Sequence, residues 1–190
     1  IPLYYFIDMD GTLIDTDYAN FLAYQSAIRE VTDGRLDIRY EAGRRFNRHA
    51  LKQSFPQMLD FELARIVCLK AVCYEHFLPE TKLNTVLVDR LRAISATSKK
   101  VLVTDSEKRR AELTLRYHRV YSLFHHCCYR ESDQSGNKYY RALSRLRVSP
   151  RCVIVYENEA VEVNRAVLAG IKRENILSVK WRPEKRSVYE

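Results

Sequence analysis

Leu3-Tyr4-Tyr5-Phe6-Ile7-Asp8-Met9-Asp10-Gly11-Thr12-Leu13-Ile14-Asp15 sets an apolar run directly ahead of two acids and a Gly-Thr turn. Leu3 to Ile7 is rich in aromatic and β-branched side chains and predicts a buried strand. Asp8 and Asp10 then fall at its C-terminal end, the edge at which ligands gather in open α/β sheets. Two carboxylates crowded there repel each other and lose solvation, a cost that a divalent cation and nearby basic groups offset. Mg²⁺ suits such a place, because it binds through one or two carboxylates and keeps waters and substrate phosphate oxygens as its other ligands. Gly11 frees the backbone to turn away so that both carboxylates point into one cavity. Thr12 has a hydroxyl to donate to one of them.

Working outward, 190 residues allow one well-buried core with a modest insertion but not two full-sized domains. The hydrophobic share of 46% and charged share of 29% are those of a globular protein and argue against disorder. No apolar run approaches the roughly 18 to 20 residues of a membrane span, and the first residues read as a strand rather than a cleavable leader. Five cysteines stand without a framework spacing and suit reduced thiols. The expectation is a cytoplasmic protein. A formal net charge of +8 draws anions. Lys and Arg are spread along the chain with no aromatic-interleaved basic block, so a small phosphorylated ligand is favoured over nucleic acid.

Residues 16–80 carry little strand signal. Tyr18–Val31 has helical spacing, Thr32-Asp33-Gly34 breaks it, Tyr40–Lys52 reads as a second amphipathic helix, and Leu59–Phe77 as a long one that Pro79 stops. From residue 81, helix and strand alternate. Strands are expected at Lys100–Thr104, His126–Tyr129, Cys152–Tyr156 and Ile176–Val179, with helices over Leu83–Ala96, Glu107–Tyr117, Tyr139–Leu146 and Glu159–Ala169. This order predicts an α/β fold with a Rossmann-like parallel sheet covered on both faces, formed by residues 1–15 and 81–190, and an all-helical insertion at 16–80. The tail from Trp181 is polar and is expected on the surface.

The run Asp8-Met9-Asp10-Gly11-Thr12-Leu13 resembles the first signature of the haloacid dehalogenase-like hydrolase superfamily, mostly phosphatases and phosphotransferases. Three later stretches follow that family's order. Val101-Leu102-Val103-Thr104-Asp105-Ser106 resembles the second signature, in which a hydroxyl and the next backbone N–H hold the transferring phosphoryl group. Gly136-Asn137-Lys138 resembles the third, a cation near a helix start that screens Asp8 and Asp10 and grips phosphoryl oxygens. Cys152-Val-Ile-Val-Tyr156-Glu157-Asn158-Glu159, running on to Ala169-Gly170-Ile171, is similar to the fourth, commonly Glu-Asp-Ser. Asn158 stands where the family has Asp, and an Asn carbonyl ligates Mg²⁺ without bringing charge.

The resemblance implies a small helical cap over 16–80 and a Mg²⁺-dependent phosphatase acting on a small phosphorylated metabolite. By it, Asp8 is the nucleophile that becomes aspartyl-phosphate, and Asp10 is the acid for the leaving group and then the base for water. Gly11, Thr12, Thr104, Asp105 and Lys138 border the phosphoryl group. Mg²⁺ lies among Asp8, the Asp10 carbonyl, Glu157 and Asn158. A phosphomutase is open to the same cap type. A binding or regulatory relative with weakened catalysis is the alternative that Asn158 raises. Carbon–halogen hydrolysis needs neither the second Asp nor the metal, and Asp10 argues against it.

Two clusters of metal-ligand types have bland readings. In His125-His126-Cys127-Cys128, adjacent strand residues point to opposite faces and do not close on one zinc. Cys68, Cys73 and His76 share a predicted helix without the spacing of a structural zinc site. Arg44, Arg48 and Lys52 recur every fourth residue and are expected on one helix face, with Arg45 and His49 beside them; such a stripe is usually solvated, and would bind an anionic leaving group if that face closed over the active site.

Overall fold

The computed structural model describes residues 3–131 and 136–181 and divides into two compact units. One consists of Ile1–Asp15 with Leu83–Glu190, the other of Thr16–Lys82.

The first unit is built on a five-stranded parallel sheet in the order β5-β4-β1-β6-β7. Its strands are β1 (Tyr4–Ile7), β4 (Lys99–Glu107), β5 (His126–Arg130), β6 (Val153–Glu157) and β7 (Ile176–Ser178). The short strands β2 (Ile14–Asp15) and β3 (Lys82–Leu83) pair separately. β1 is central: Phe6 lies beside Val101 and Val155, and Ile7 beside Leu102 and Tyr156. Successive side chains of a strand face opposite ways. Phe6 therefore packs with Val101, Val155 and the inner faces of helices α6 (Lys138–Leu146) and α7 (Ala160–Leu168). Ile7 packs on the other face, with Leu102 and with Leu87, Leu91 and Leu115 of α4 (Thr85–Ala93) and α5 (Lys108–Tyr117). Both β1 residues are fully buried, each stabilising the fold by about 2 kcal/mol. From β1 the sheet grows toward β4 and β5, and from β6 toward β7, so the order reverses beside β1, and the C-terminal strand ends at such a reversal are where open α/β sheets hold ligands.

β4 runs three residues beyond the expected Thr104, with a register shift against β5 between Val103 and Glu107. In β5, Cys127 packs on the α5 side and Cys128 on the α6 side, as strand alternation requires. The sequence from Arg182 onward lies outside the described residues.

The second unit is helical. α1 (Asp17–Val31) carries Asp17 in its first turn and Arg29 in its last, matching the helix dipole. It ends where expected: the Thr32 hydroxyl donates to the Ile28 carbonyl at 2.7 Å and Gly34 turns at φ +72°. Its buried face, with Phe21, Tyr24 and Ile28, meets Leu51 of α2 (Arg48–Ser54) and Leu63 and Ile66 of α3 (Asp60–Cys73).

Two helices of this unit are shorter than their sequence spacing predicts. The helix read over Tyr40–Lys52 is only α2, because the Asn47 side chain caps it by accepting from the Ala50 N–H at 2.9 Å, and Gly43 upstream sits at φ +82°. Arg44 therefore precedes the helix and does not share a face with Arg48 and Lys52. The long helix over Leu59–Phe77 gives way at Tyr74 to a 3₁₀ turn, Tyr74–Glu80, which holds Pro79 inside it. Among the described residues no helix is long and apolar enough to cross a membrane.

Candidate active site

Asp8 follows the last residue of β1, and its backbone N–H donates to the Tyr156 carbonyl at 3.1 Å, which pins it to β6. The chain then folds over the Met9 carbonyl, which accepts from the N–H groups of Leu13 and Ile14 at 3.0 Å. Gly11 stands at φ +83°, and a Cβ on it would lie 2.6 Å from the Asn158 side-chain nitrogen. The backbone angle favours glycine, and a larger residue would also displace the Asn158 side chain. The turn leaves Asp8 and Asp10 buried, at 5% and 6% exposure.

The two carboxylates have separate partners. Asp8 Oδ1 accepts from Lys138 Nζ at 2.7 Å, and Oδ2 from the Thr12 hydroxyl at 2.9 Å. Thr12 Oγ1 is also 2.9 Å from Asn158 Oδ1, which brings the end of β6 against the first loop. Asp10 instead meets Ser106 Oγ at 2.6 Å and Arg110 Nη2 at 2.8 and 2.9 Å.

Lys138 opens α6, where the Asn137 side chain accepts from the Tyr139 N–H at 3.0 Å and fixes the helix start. Its ammonium is 2.7 Å from Asp8, 2.9 Å from Glu157 and 3.6 Å from Glu162. Burial alone would lower the Lys138 pKa, but the Asp8 and Glu157 carboxylates more than offset it and hold the ammonium charged. Burial pushes Asp8 up to about 6, with Lys138 opposing the rise and Glu157 adding to it.

Glu157 is fully buried and both of its oxygens are committed. Oε2 accepts from Lys138 and the Tyr139 hydroxyl, and Oε1 from the backbone N–H groups of Asn158 and Glu159. Burial, then Glu157, pushes the Tyr139 pKa well above the ordinary phenol range, which keeps it a donor.

The structure thus brings Asp8, Asp10, Gly11, Thr12, Lys138, Glu157 and Asn158 together. Thr104, at the same end of the sheet, is buried and accepts from the Ser106 N–H at 3.0 Å. The Asp105 side chain faces Arg141 at 2.7 Å and Arg165 at 3.9 Å. Ser106, which closes the second stretch without an expected role of its own, and Arg110, which no motif marks, also belong to the site. Strand alternation from Thr104 points to Ser106 on the same face, whereas Ser106 lies in β4 before α5 begins, so no helical spacing links it to Arg110.

Among the described residues no three His, Cys, Asp or Glu side chains converge as a metal cage. Mg²⁺ needs less: one or two carboxylates and further hard oxygens. The Asp8 carboxylate and the Asn158 amide oxygen converge on Thr12, hard oxygen donors of the right kind that together bear a single formal charge.

No family model and no curated protein sequence matches the chain. Solved structures do match. A predicted phosphoglycolate phosphatase from Haemophilus somnus superposes with a TM-score of 0.77 at 17% identity, over 94% of this chain and 85% of that one. A haloacid dehalogenase-like hydrolase from Streptococcus pneumoniae gives 0.74 at 17% identity, over 95% and 85%. The chain has the haloacid dehalogenase fold. A proposed β-phosphoglucomutase from Thermotoga maritima shares the same fold, with a TM-score of 0.66 at 22% identity over 97% of this chain and 88% of that one. In this haloacid dehalogenase fold the strand order sets β4, β1 and β6 side by side, with Asp8 and Asn158 just after β1 and β6 and Thr104 three residues before the end of β4.

Proposed function

We propose that the chain is a Mg²⁺-dependent phosphomonoester hydrolase that works through an aspartyl-phosphate on Asp8. The observation that carries this reading is the surroundings of Asp8: a buried carboxylate at the end of the central strand with a charged Lys138 on one oxygen and the Thr12 hydroxyl on the other. Asp8 is thereby oriented as a nucleophile, and Lys138 and the Thr104 hydroxyl are the groups to hold the phosphoryl oxygens. Gly11 and the backbone N–H of Asp105 complete that border. Asp10 is the proton donor to the leaving group and then the acceptor from water.

Asp8, the Asp10 carbonyl and Asn158 are the residues that would hold Mg²⁺, with Glu157 securing Lys138 beside them. When bound, the ion would neutralise the charge of the incoming phosphate. The substrate is a small phosphorylated metabolite rather than nucleic acid or a membrane, and the helical unit has the cap's task of choosing its leaving group. Five free thiols suit the reducing cytoplasm.

Hydrolysis of an aryl phosphate with and without Mg²⁺ tests the reading. Turnover should vanish with excess chelator, and undiminished turnover would sink the metal-dependent mechanism. Asp10→Asn should slow turnover while sparing Mg²⁺ binding, since its backbone carbonyl is kept. The Thermotoga maritima neighbour supports a second reading, transfer between two positions of a sugar phosphate. Phosphorus NMR of products from a hexose phosphate distinguishes isomerisation from release of inorganic phosphate.

A further inference from the structure

We propose that Ser106 and Arg110 are positioning residues for Asp10, setting its carboxylate to take the proton of the water that frees phosphate from Asp8. The proposal rests on the phosphatase reading above. Ser106 comes from the end of β4 and Arg110 from the first turns of α5, so two rigid elements fix one short side chain. Ser106 Oγ approaches Asp10 Oδ2 at 2.6 Å, and Arg110 Nη2 lies 2.8 and 2.9 Å from the two carboxylate oxygens. The guanidinium also donates to the Ser106 hydroxyl, which closes a triangle. All three residues are enclosed: Asp10 is 6% and Ser106 5% exposed, and the Arg110 side chain 15%.

These partners present hydrogens to Asp10, which suits a carboxylate that accepts. In the first step an Asp8 oxygen attacks phosphorus, the bond from phosphorus to the leaving oxygen breaks, and that oxygen takes a proton from Asp10. In the second, water attacks phosphorus and gives its proton to Asp10. The bond from phosphorus to Asp8 breaks, its electron pair returns to the Asp8 carboxylate, and inorganic phosphate departs. Only the second step uses Asp10 as an acceptor, the form to which Ser106 and Arg110 are matched. Lys138 and Thr12, not these two residues, hold Asp8. Formation of aspartyl-phosphate should therefore outlast their loss, whereas its hydrolysis should not.

The test is pre-steady-state hydrolysis of 4-nitrophenyl phosphate with Mg²⁺ by the full chain, with intact-mass detection of phosphoprotein after acid quench. In Arg110→Ala and Ser106→Ala, kcat should fall on the order of 10²-fold, KM should fall with it, and a burst of nitrophenol should accompany covalent phosphate. Arg110→Lys should recover part of the rate. Adding Asp8→Asn to Arg110→Ala should remove the covalent phosphate. Equal or faster turnover, or a slower rate with unchanged KM and no phosphoprotein, would overturn the assignment while leaving the phosphatase reading standing. An Arg110→Ala chain that fails to fold leaves Ser106→Ala and Arg110→Lys to decide by the same readouts. A wild-type chain with neither turnover nor covalent phosphate would bring down both readings.

Discussion

The α/β unit buries a group of charges of a kind that the helical unit keeps in water. In the α/β unit the Lys138 side chain is 4% exposed and lies among Asp8, Glu157 and Glu162. In the helical unit Arg44 meets Glu41 at 3.1 Å with both side chains more than 60% exposed. An exposed pair is worth about 0–1 kcal/mol because water screens it. A buried group of charges costs several kcal/mol in lost hydration and is kept only where geometry and hydrogen bonding return that cost. The contrast teaches where the chemistry lies: side chains that the chain could hold in water at no expense are held out of it around Asp8.

The hardest blow to this contrast is Asp8→Asn. If the buried charge serves catalysis, hydrolysis of an aryl phosphate should fall at least about a thousandfold, or ~4 kcal/mol. A mutant that keeps more than about a tenth of the rate, a loss under ~1.4 kcal/mol, removes Asp8 as nucleophile.

Lys138→Ala should cost about 3–5 kcal/mol of stability in denaturant titration, because it strands Asp8 and Glu157 facing each other without their cation. A loss below about 1 kcal/mol would place Lys138 with the exposed pairs instead.

Asn158→Asp sharpens the contrast by adding a charge where the donor set bears only one. Hard cations bind more tightly as ligand charge rises. The mutant should need several-fold less Mg²⁺ for half-maximal activity, with a matching gain in affinity by calorimetry. An unchanged requirement would mean that Glu157 or Glu162 already serves the ion.

Burial makes Asp8 harder to ionise, so in metal-free protein its carboxyl should be half protonated near pH 6 and charged above it. Carbon-13 NMR should show that midpoint, and Mg²⁺ should move it downward, since a neighbouring cation favours the carboxylate. A metal-free midpoint in the ordinary range near 4 would mean that water reaches Asp8.

The smallest effect belongs to the helical unit. Arg44→Ala, Arg48→Ala and Lys52→Ala should each change stability by no more than ~0.5 kcal/mol. Larger losses in thermal melts would reveal a structural role that their exposure does not suggest.

Local pattern determined much of this protein. The apolar run ahead of Asp8, the alternation of helix and strand after residue 81 and the break at Thr32-Asp33-Gly34 are short-range signals, and strands and helices formed at or near the expected places. Gly11 was legible because a tight turn directly after two acids calls for a residue free to adopt a positive φ. Tertiary structure decided which cation serves which acid. Asp10 and Arg110 are 100 residues apart, and Asp8 and Lys138 are 130 apart. No periodicity encodes such pairings, which arise only when the sheet order sets the ends of β1, β4 and β6 side by side. Glu157 shows the same limit: its residue type suits a metal ligand, yet the fold surrounds it with Lys138, Tyr139 and two backbone donors, and it anchors the lysine. Sequence names the groups that can carry charge, whereas burial and the neighbours brought by the fold settle which charges meet.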